Sequence, residues 1–359
     1  MIWLGLLLPA CFWAGYTGGT IPTQWIVLWA CLPWALWHRA PITPAHRLVF
    51  AFSLYACLSI AWSSNGFDSV IGAWKIVTCA MAFWLGSTLP SLRRLWIGLA
   101  IGLMISLPVI LFQFAGRSPV YYLPGPEPFS AAGLLFNGTT LGAVTALVIL
   151  GLIDEDLWGI GGMLIPLLWI AHSRGAWLAI GVSLACKYMH WALAAVGLLG
   201  ACLFFYFNLS VSDDFRLEAW GAAVGGLTVF GRGGGTFTEV VLVTPTLLMH
   251  PEFVHNDYLQ VVFEYGLGAL PWFGLMVWTI SRREKYWQVF ICFGVLGIFW
   301  FPLFSPITAF IGCVVAGHIS RSWALVRDHG NIGRSPRSAW IDALGCEADP
   351  GRATNFPMG

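Results

Sequence analysis

The stretch richest in reactive groups is His255-Asn256-Asp257-Tyr258-Leu259-Gln260, running on into Val261-Val262-Phe263-Glu264-Tyr265-Gly266. Asn256 is a helix N-cap type, and a helix opening after it places Asp257, Gln260 and Glu264 on one stripe, at i, i+3 and i+7. Glu264 then sits roughly 10 Å along that helix at 1.5 Å per residue, a costly depth for an ionisable group in lipid. Such a group is expected to face a bundle interior or an aqueous cavity. His255 stands at the mouth, where a neutral imidazole can take a proton from a hydroxyl. A lone loop histidine beside a polar helix start is the plainer reading, and the stripe beneath it argues for chemistry.

Cations come from two other stretches. In His172-Ser173-Arg174-Gly175, Ser173 is placed to cap a helix whose first turn holds Arg174. A cation there opposes the helix dipole unless an anion is also present, because N-terminal amides and a guanidinium together suit phosphate. An interfacial arginine reaching for headgroups explains it equally well. Ser212-Asp213-Asp214-Phe215-Arg216-Leu217-Glu218-Ala219-Trp220 reads as a capped helix ending by Gly225-Gly226, with Arg216 and Trp220 spaced to pair. Gly231-Arg232-Gly233-Gly234-Gly235 follows, either a plain connector or a loop whose amides cradle an anion. Lys75, Asn137, Thr139 and Thr140 are polar groups inside apolar runs, and helix–helix hydrogen bonding accounts for such residues in many bundles.

The elements that position these residues are membrane helices. Of 359 residues 58% are apolar and 10% charged, with 21 Trp and 25 Phe. Soluble domains carry roughly 25% charged residues, so this chain lacks the polar surface that a globule needs in water. Runs of about 17–25 apolar residues predict an all-α polytopic bundle of about twelve spans. They lie near 1–16, 22–38, 46–62, 69–89, 95–114, 131–152, 157–171, 174–190, 191–209, 256–280, 286–301 and 305–325. The bundle is expected to occupy 1–326, with one long loop at about 210–255, and 327–359 reads as a polar, disordered tail. The first run lacks a positive leader and reads as a retained span. The nine cysteines contain no CxxC, and eight sit in apolar runs, so no metal or redox motif is indicated.

Basic residues orient the bundle. With the N-terminus inside, Arg39, Arg47, Arg93, Arg94, Lys187, Arg282, Arg283, Lys285, Arg321, Arg327, Arg334, Arg337 and Arg352 face the cytoplasm. Lys75, Arg117, Arg174, Arg216 and Arg232 face the other side, a division of 13 to 5 among the 18 basic residues. Both termini are therefore expected in the cytoplasm. The five exceptions ask for a second reason to be where they are, and the long loop is the natural place for chemistry.

Three stretches, in order, resemble the O-antigen ligase and O-antigen polymerase superfamily of bacterial envelopes, which includes protein O-oligosaccharyltransferases. They are the Ser173-Arg174-Gly175 turn; the Arg216…Trp220 helix with Gly231-x-Gly…Phe237; and His255-Asn256-x-Tyr258-Leu259-Gln260 with Glu264-Tyr265-Gly266. Together they cover about 130–280; the flanking spans agree only in being hydrophobic. The resemblance implies a type C glycosyltransferase of the bacterial inner membrane, acting at the periplasmic face without metal or other cofactor. Its donor would be a glycan on undecaprenyl pyrophosphate, held by Arg174 and Arg216, with His255 as general base for an inverting displacement. Asn256, Asp257, Gln260, Glu264 and Arg232 complete the expected substrate site. Arg232 and the Gly233-Gly234-Gly235 run depart from the family's usual small apolar residue and Gly-Pro-Gly. The acceptor hydroxyl would belong to lipid A core sugar in lipopolysaccharide biosynthesis, to another glycan in a polysaccharide polymerase, or to a protein. Membrane lipids are the expected surroundings, and no nucleic-acid partner is expected. A transporter of polysaccharide or lipid-linked glycan is the rival class; it predicts polar residues through both membrane halves and an internal repeat, and neither is visible. A relative that has lost activity is a further alternative.

Overall fold

The computed structural model describes residues 28–29, 37–115, 138–188, 211–240, 242–243, 248–249, 253–300 and 302–330. The spans expected near 1–16 and 191–209, most of 22–38, the loop 115–130 from residue 116 on with Arg117, Asn137, and the tail beyond 330 lie outside these residues.

The described elements are helical apart from one antiparallel pairing of β1 (Leu242–Val243) with β2 (Leu248–Met249). The helices are α1 (Pro44–Leu58), α2 (Gly66–Thr88), α3 (Arg93–Ile105), α4 (Leu107–Phe114), α5 (Gly138–Asp154), α6 (Trp158–Met163) and α7 (Ile165–Ile170). They continue with α8 (Arg174–Tyr188), α9 (Val211–Gly225), α10 (Asp257–Tyr265), α11 (Leu270–Arg282), α12 (Trp287–Phe299) and α13 (Pro306–Gly330). By length and apolarity alone, four helical stretches qualify to cross a membrane: 44–62, 66–88, 306–326 and 257–282, the last of which is bent back on itself at Gly266. The bent pair α3–α4 makes a fifth if taken as one span. This is an all-α membrane-type bundle. α13 runs four residues past the expected tail boundary at 326.

Two of the expected spans are built differently. The run 157–171 is broken into α6 and α7 at Leu164, with Pro166 opening α7. A proline has no amide proton to donate to the preceding turn, so the helix restarts there. The run 256–280 is interrupted at Gly266, which adopts φ 53, ψ −129, a conformation open to glycine and strained for other residues. A Cβ there would fall on the Val229 carbonyl oxygen. The chain folds back at this point: the Tyr258 and Phe273 rings stack at 6.0 Å. A straight helix would hold them roughly 22 Å apart. α10 is thus a separate short helix laid against α11 and α12, not the outer half of one span.

α2 and α13 form the closest pair. Gly86 lies on the Val314 backbone and Gly317 on that of Phe83, so a Cβ at either position would overlap a carbonyl oxygen. Small residues let membrane helices approach to backbone contact. The core around this crossing includes Phe83, Leu85, Phe293, Phe310 and Ile311, all nearly inaccessible.

The helix termini sort into two ends. At one, Lys187 Nζ pairs with Asp154 Oδ1 at 2.9 Å and Lys285 Nζ with Glu155 Oε2 at 3.2 Å. Tyr286 donates its hydroxyl to Glu155, and Arg321 Nη1 donates to the Thr88 carbonyl at 3.1 Å, covering the C-terminus of α2. Arg282 lies over both Trp278 and Trp323, 5.0 Å from each ring. Here several of the basic residues expected in the cytoplasm gather, two tryptophans among them. The opposite end holds the start of α2, the ends of α1 and α12, and the start of α8, α10 and α13.

Candidate active site

α10 is the centre of that second end. Asn256, extended at φ −155, accepts a 3.0 Å bond from the Leu259 amide through Oδ1, the expected N-cap. Asp257, Gln260 and Glu264 all face inward, none more than 3% exposed. Gln260 joins two parts of the site: its Oε1 accepts from the Val254 amide at 3.0 Å, and its Nε2 donates to Glu264 Oε1 at 2.9 Å. Asp257 Oδ2 accepts from the Leu303 amide at 2.7 Å, and Tyr258 donates its hydroxyl to the Gly294 carbonyl at 2.7 Å. The segment 254–258 is therefore pinned from three elements, α10, α12 and the approach to α13. His255 sits within it at φ 58, the left-handed region that non-glycine residues enter only when their surroundings hold them there.

Burial lowers the His255 imidazole from the ordinary histidine range to about 4, and the positive charge of Arg216 adds to the effect. At neutral pH the ring is therefore uncharged, the form in which histidine accepts a proton. The effect of Arg216 on His255 also brings α9 to the mouth of α10. α9 spans Val211–Gly225 and ends where expected, while Ser212 lies already inside the helix rather than ahead of it. Ala219 and Ala223 pack with Phe237, Val254 and Phe263 into a small satellite core.

Arg174 is the first residue of α8 and is exposed. The Ser173 hydroxyl accepts from the Ala176 amide at 3.4 Å, the expected cap. A Cβ on Gly175 would lie 3.9 Å from Phe299, and one on Gly297 would lie 3.5 Å from Asp257, so α12 links the start of α8 to the start of α10. Arg174 thus belongs to the His255 end. Thr139 and Thr140, in the first turn of α5, lie at this end too, because Gly142 packs on Ser173.

The glycine loop departs from expectation. Its amides do not stand open for an anion: Arg232 N donates to the Phe263 carbonyl at 3.2 Å and Gly233 N to that of Glu264 at 2.8 Å. Gly231, Gly233 and Gly235 adopt positive φ and pack on Glu264–Tyr265, on Ser63 and Ser69, and on Asp68. The loop covers Glu264, so that carboxylate is buried by protein folded over it rather than by depth along a straight span. Arg232 is spent locally as well. Its Nε donates to the Gly226 carbonyl at 2.9 Å and its guanidinium lies 5.3 Å from the Phe263 ring centre.

Lys75 and Asp68 were not among the expected site residues. Both act electrostatically on Glu264, and Lys75 Nζ stands 5.8 Å from the Phe253 ring centre. The sequence marked Lys75 as an unusual intramembrane cation but gave it no partner. Below Asp257, an apolar crevice is lined by Phe52, Ile76, Cys79, Trp272, Leu303 and Cys313. Among the described residues, no three His, Cys, Asp or Glu side chains stand together as a metal-ligand group.

In comparisons with known proteins, no family model matches the chain and no curated protein matches it.

Proposed function

We propose that this chain is an inner-membrane glycosyltransferase that moves a glycan from undecaprenyl pyrophosphate to an acceptor hydroxyl at the periplasmic face, most closely in the manner of an O-antigen ligase. The observation that carries the reading is a neutral, conformationally held His255 that feels the positive charge of Arg216 from the adjoining α9. In the reaction the acceptor oxygen bonds to the anomeric carbon and its proton passes to the His255 imidazole. The bond from that carbon to the pyrophosphate oxygen breaks with inversion, and the lipid pyrophosphate leaves. Arg216 and Arg174 stabilise the charge that grows on the leaving group.

A base protonated only near pH 4 in the free protein is weak, and substrate corrects this. A bound diphosphate offsets Arg216 and favours the imidazolium, strengthening the base when the donor is present. Asn256, Asp257, Gln260 and Glu264 act in this reading chiefly by holding the His255 segment.

The experiment is complementation of envelope mutants lacking either a ligase or a polymerase, with the wild-type chain and with His255→Ala. Restored glycan display by wild type alone is expected. Equal restoration by both proteins removes His255 as the base, and restoration only in the polymerase mutant reassigns the acceptor. A reporter fused after residue 235 is expected to report the periplasm.

A further inference from the structure

We propose that the corner Val224–Phe230, between α9 and the glycine loop, is inserted in the bilayer among lipid acyl chains and does not stand in water with the rest of the loop. The segment 219–231 contains no charged residue. Val224, Leu227, Val229 and Phe230 point outward, with Val229 61% and Phe230 65% exposed, and Leu267 and Leu270 beside them are 60% and 62% exposed. A contiguous apolar patch of this kind is unusual on a surface that faces water.

The patch continues the lipid-facing surface of the spans. Along α1 and the turn after it, Phe50, Leu54, Leu58 and Trp62 are exposed at four-residue intervals, one stripe rising toward the corner. On α11, Leu270 and Val277 are exposed seven residues apart, again on one face. The corner is fastened where these stripes arrive. Tyr55 donates its hydroxyl to the Phe230 carbonyl at 2.9 Å, and the Leu267 amide donates to the Val229 carbonyl at 2.8 Å. The carbonyls of Val229 and Phe230 at the tip are thereby satisfied within the protein, which lowers the cost of placing them in lipid.

Arg232 marks the rim. It follows the apolar tip directly, its stem is braced by Phe263 and the Gly226 carbonyl, and it remains exposed. A guanidinium there reaches the phosphate layer while the residues before it stay among acyl chains. Its place on the less basic side of the bundle then follows from the anchor, whether or not the site binds a diphosphate. Insertion also fixes the depth of the glycine loop, and with it the cover over Glu264.

The test replaces Phe230 with the photo-crosslinker p-benzoyl-phenylalanine in the full chain, reconstituted in nanodiscs of phosphatidylethanolamine and phosphatidylglycerol. The same replacement at Leu54, on the α1 stripe, and at Glu218, on the exposed side of α9, gives the two reference levels. After irradiation, intact mass is expected to show phospholipid adducts at position 230 at the level of position 54 and several-fold above position 218. Replacement of Val229 repeats the measurement should the first variant fold poorly. Adduct levels equal to those at 218, or crosslinks chiefly to a second copy of the chain, overturn the proposal. Neither result depends on transferase activity.

Discussion

Tyr258 stacks on Phe273 at 6.0 Å although fifteen positions separate them in a stretch apolar enough to be one membrane span. That contact means the stretch doubles back at Gly266, and the fold-back sets the depth and company of every carboxylate on α10. It also explains why the Glu264-Tyr265-Gly266 triplet ends in glycine: the corner meets the Val229 carbonyl where a side chain would sit.

Gly266→Ala is accordingly expected to destabilise the protein by about 2 kcal/mol or more, from positive-φ strain plus the clash with Val229. Gly221→Ala, in α9 with open space at its Cβ, is expected to be neutral or to stabilise by up to about 1 kcal/mol. Thermal unfolding of the two variants in the same detergent, followed by the loss of monodisperse protein, compares them directly.

The pH dependence follows from His255. Its folded-state value of about 4 lies below the ordinary value of 6.5, so between these limits the unfolded chain binds more protons. Stability from this group is present above pH 6.5 and declines as pH falls through that window. For transfer, the acid limb of kcat/KM is expected near pH 4, and the limb of kcat higher because bound diphosphate favours the imidazolium. An NMR titration of His255 in the free protein with a midpoint near 6.5 would contradict the first statement.

Arg174→Ala and Arg216→Ala are each expected to weaken donor binding roughly 10- to 100-fold, the loss of a charge-assisted contact of about 1.5–3 kcal/mol. Arg232→Ala is expected to leave donor affinity within a factor of about three, while removing a cation–π contact worth about 0.5–1 kcal/mol of stability. Equilibrium binding of a short-chain prenyl pyrophosphate glycan to the three variants distinguishes these outcomes. Unchanged binding in the Arg174/Arg216 double variant would remove the anion site.

Gln260→Leu leaves the Val254 amide and a Glu264 oxygen without their partner, each costing about 1–3 kcal/mol when buried. Asn256→Ala removes one N-cap bond, about 1 kcal/mol, and Asn256→Asp is expected to retain it. The ranking Gln260→Leu below Asn256→Ala below Asn256→Asp in thermal stability is the expected result. Both losses should also loosen the His255 segment and reduce turnover more than donor affinity.

The sequence by itself determined the membrane class and two of the local caps, because these depend on apolar composition and on neighbours within one turn. Asn256, Ser173 and the inward stripe Asp257–Gln260–Glu264 were all legible this way. The gathering of the basic helix ends was legible from charge asymmetry. Tertiary structure alone decided the rest. The carbonyls of Phe263, Glu264 and Val229 receive amides from another segment, so the glycine run proved to be a cover over Glu264 instead of an open anion cradle. Lys75, on a helix nearly two hundred residues earlier, acts electrostatically on Glu264, and Arg216 of α9 acts so on His255, influences that no sequence spacing encodes. The break at Gly266 was invisible to hydropathy, because a helix that crosses and a helix that folds back bury the same apolar residues.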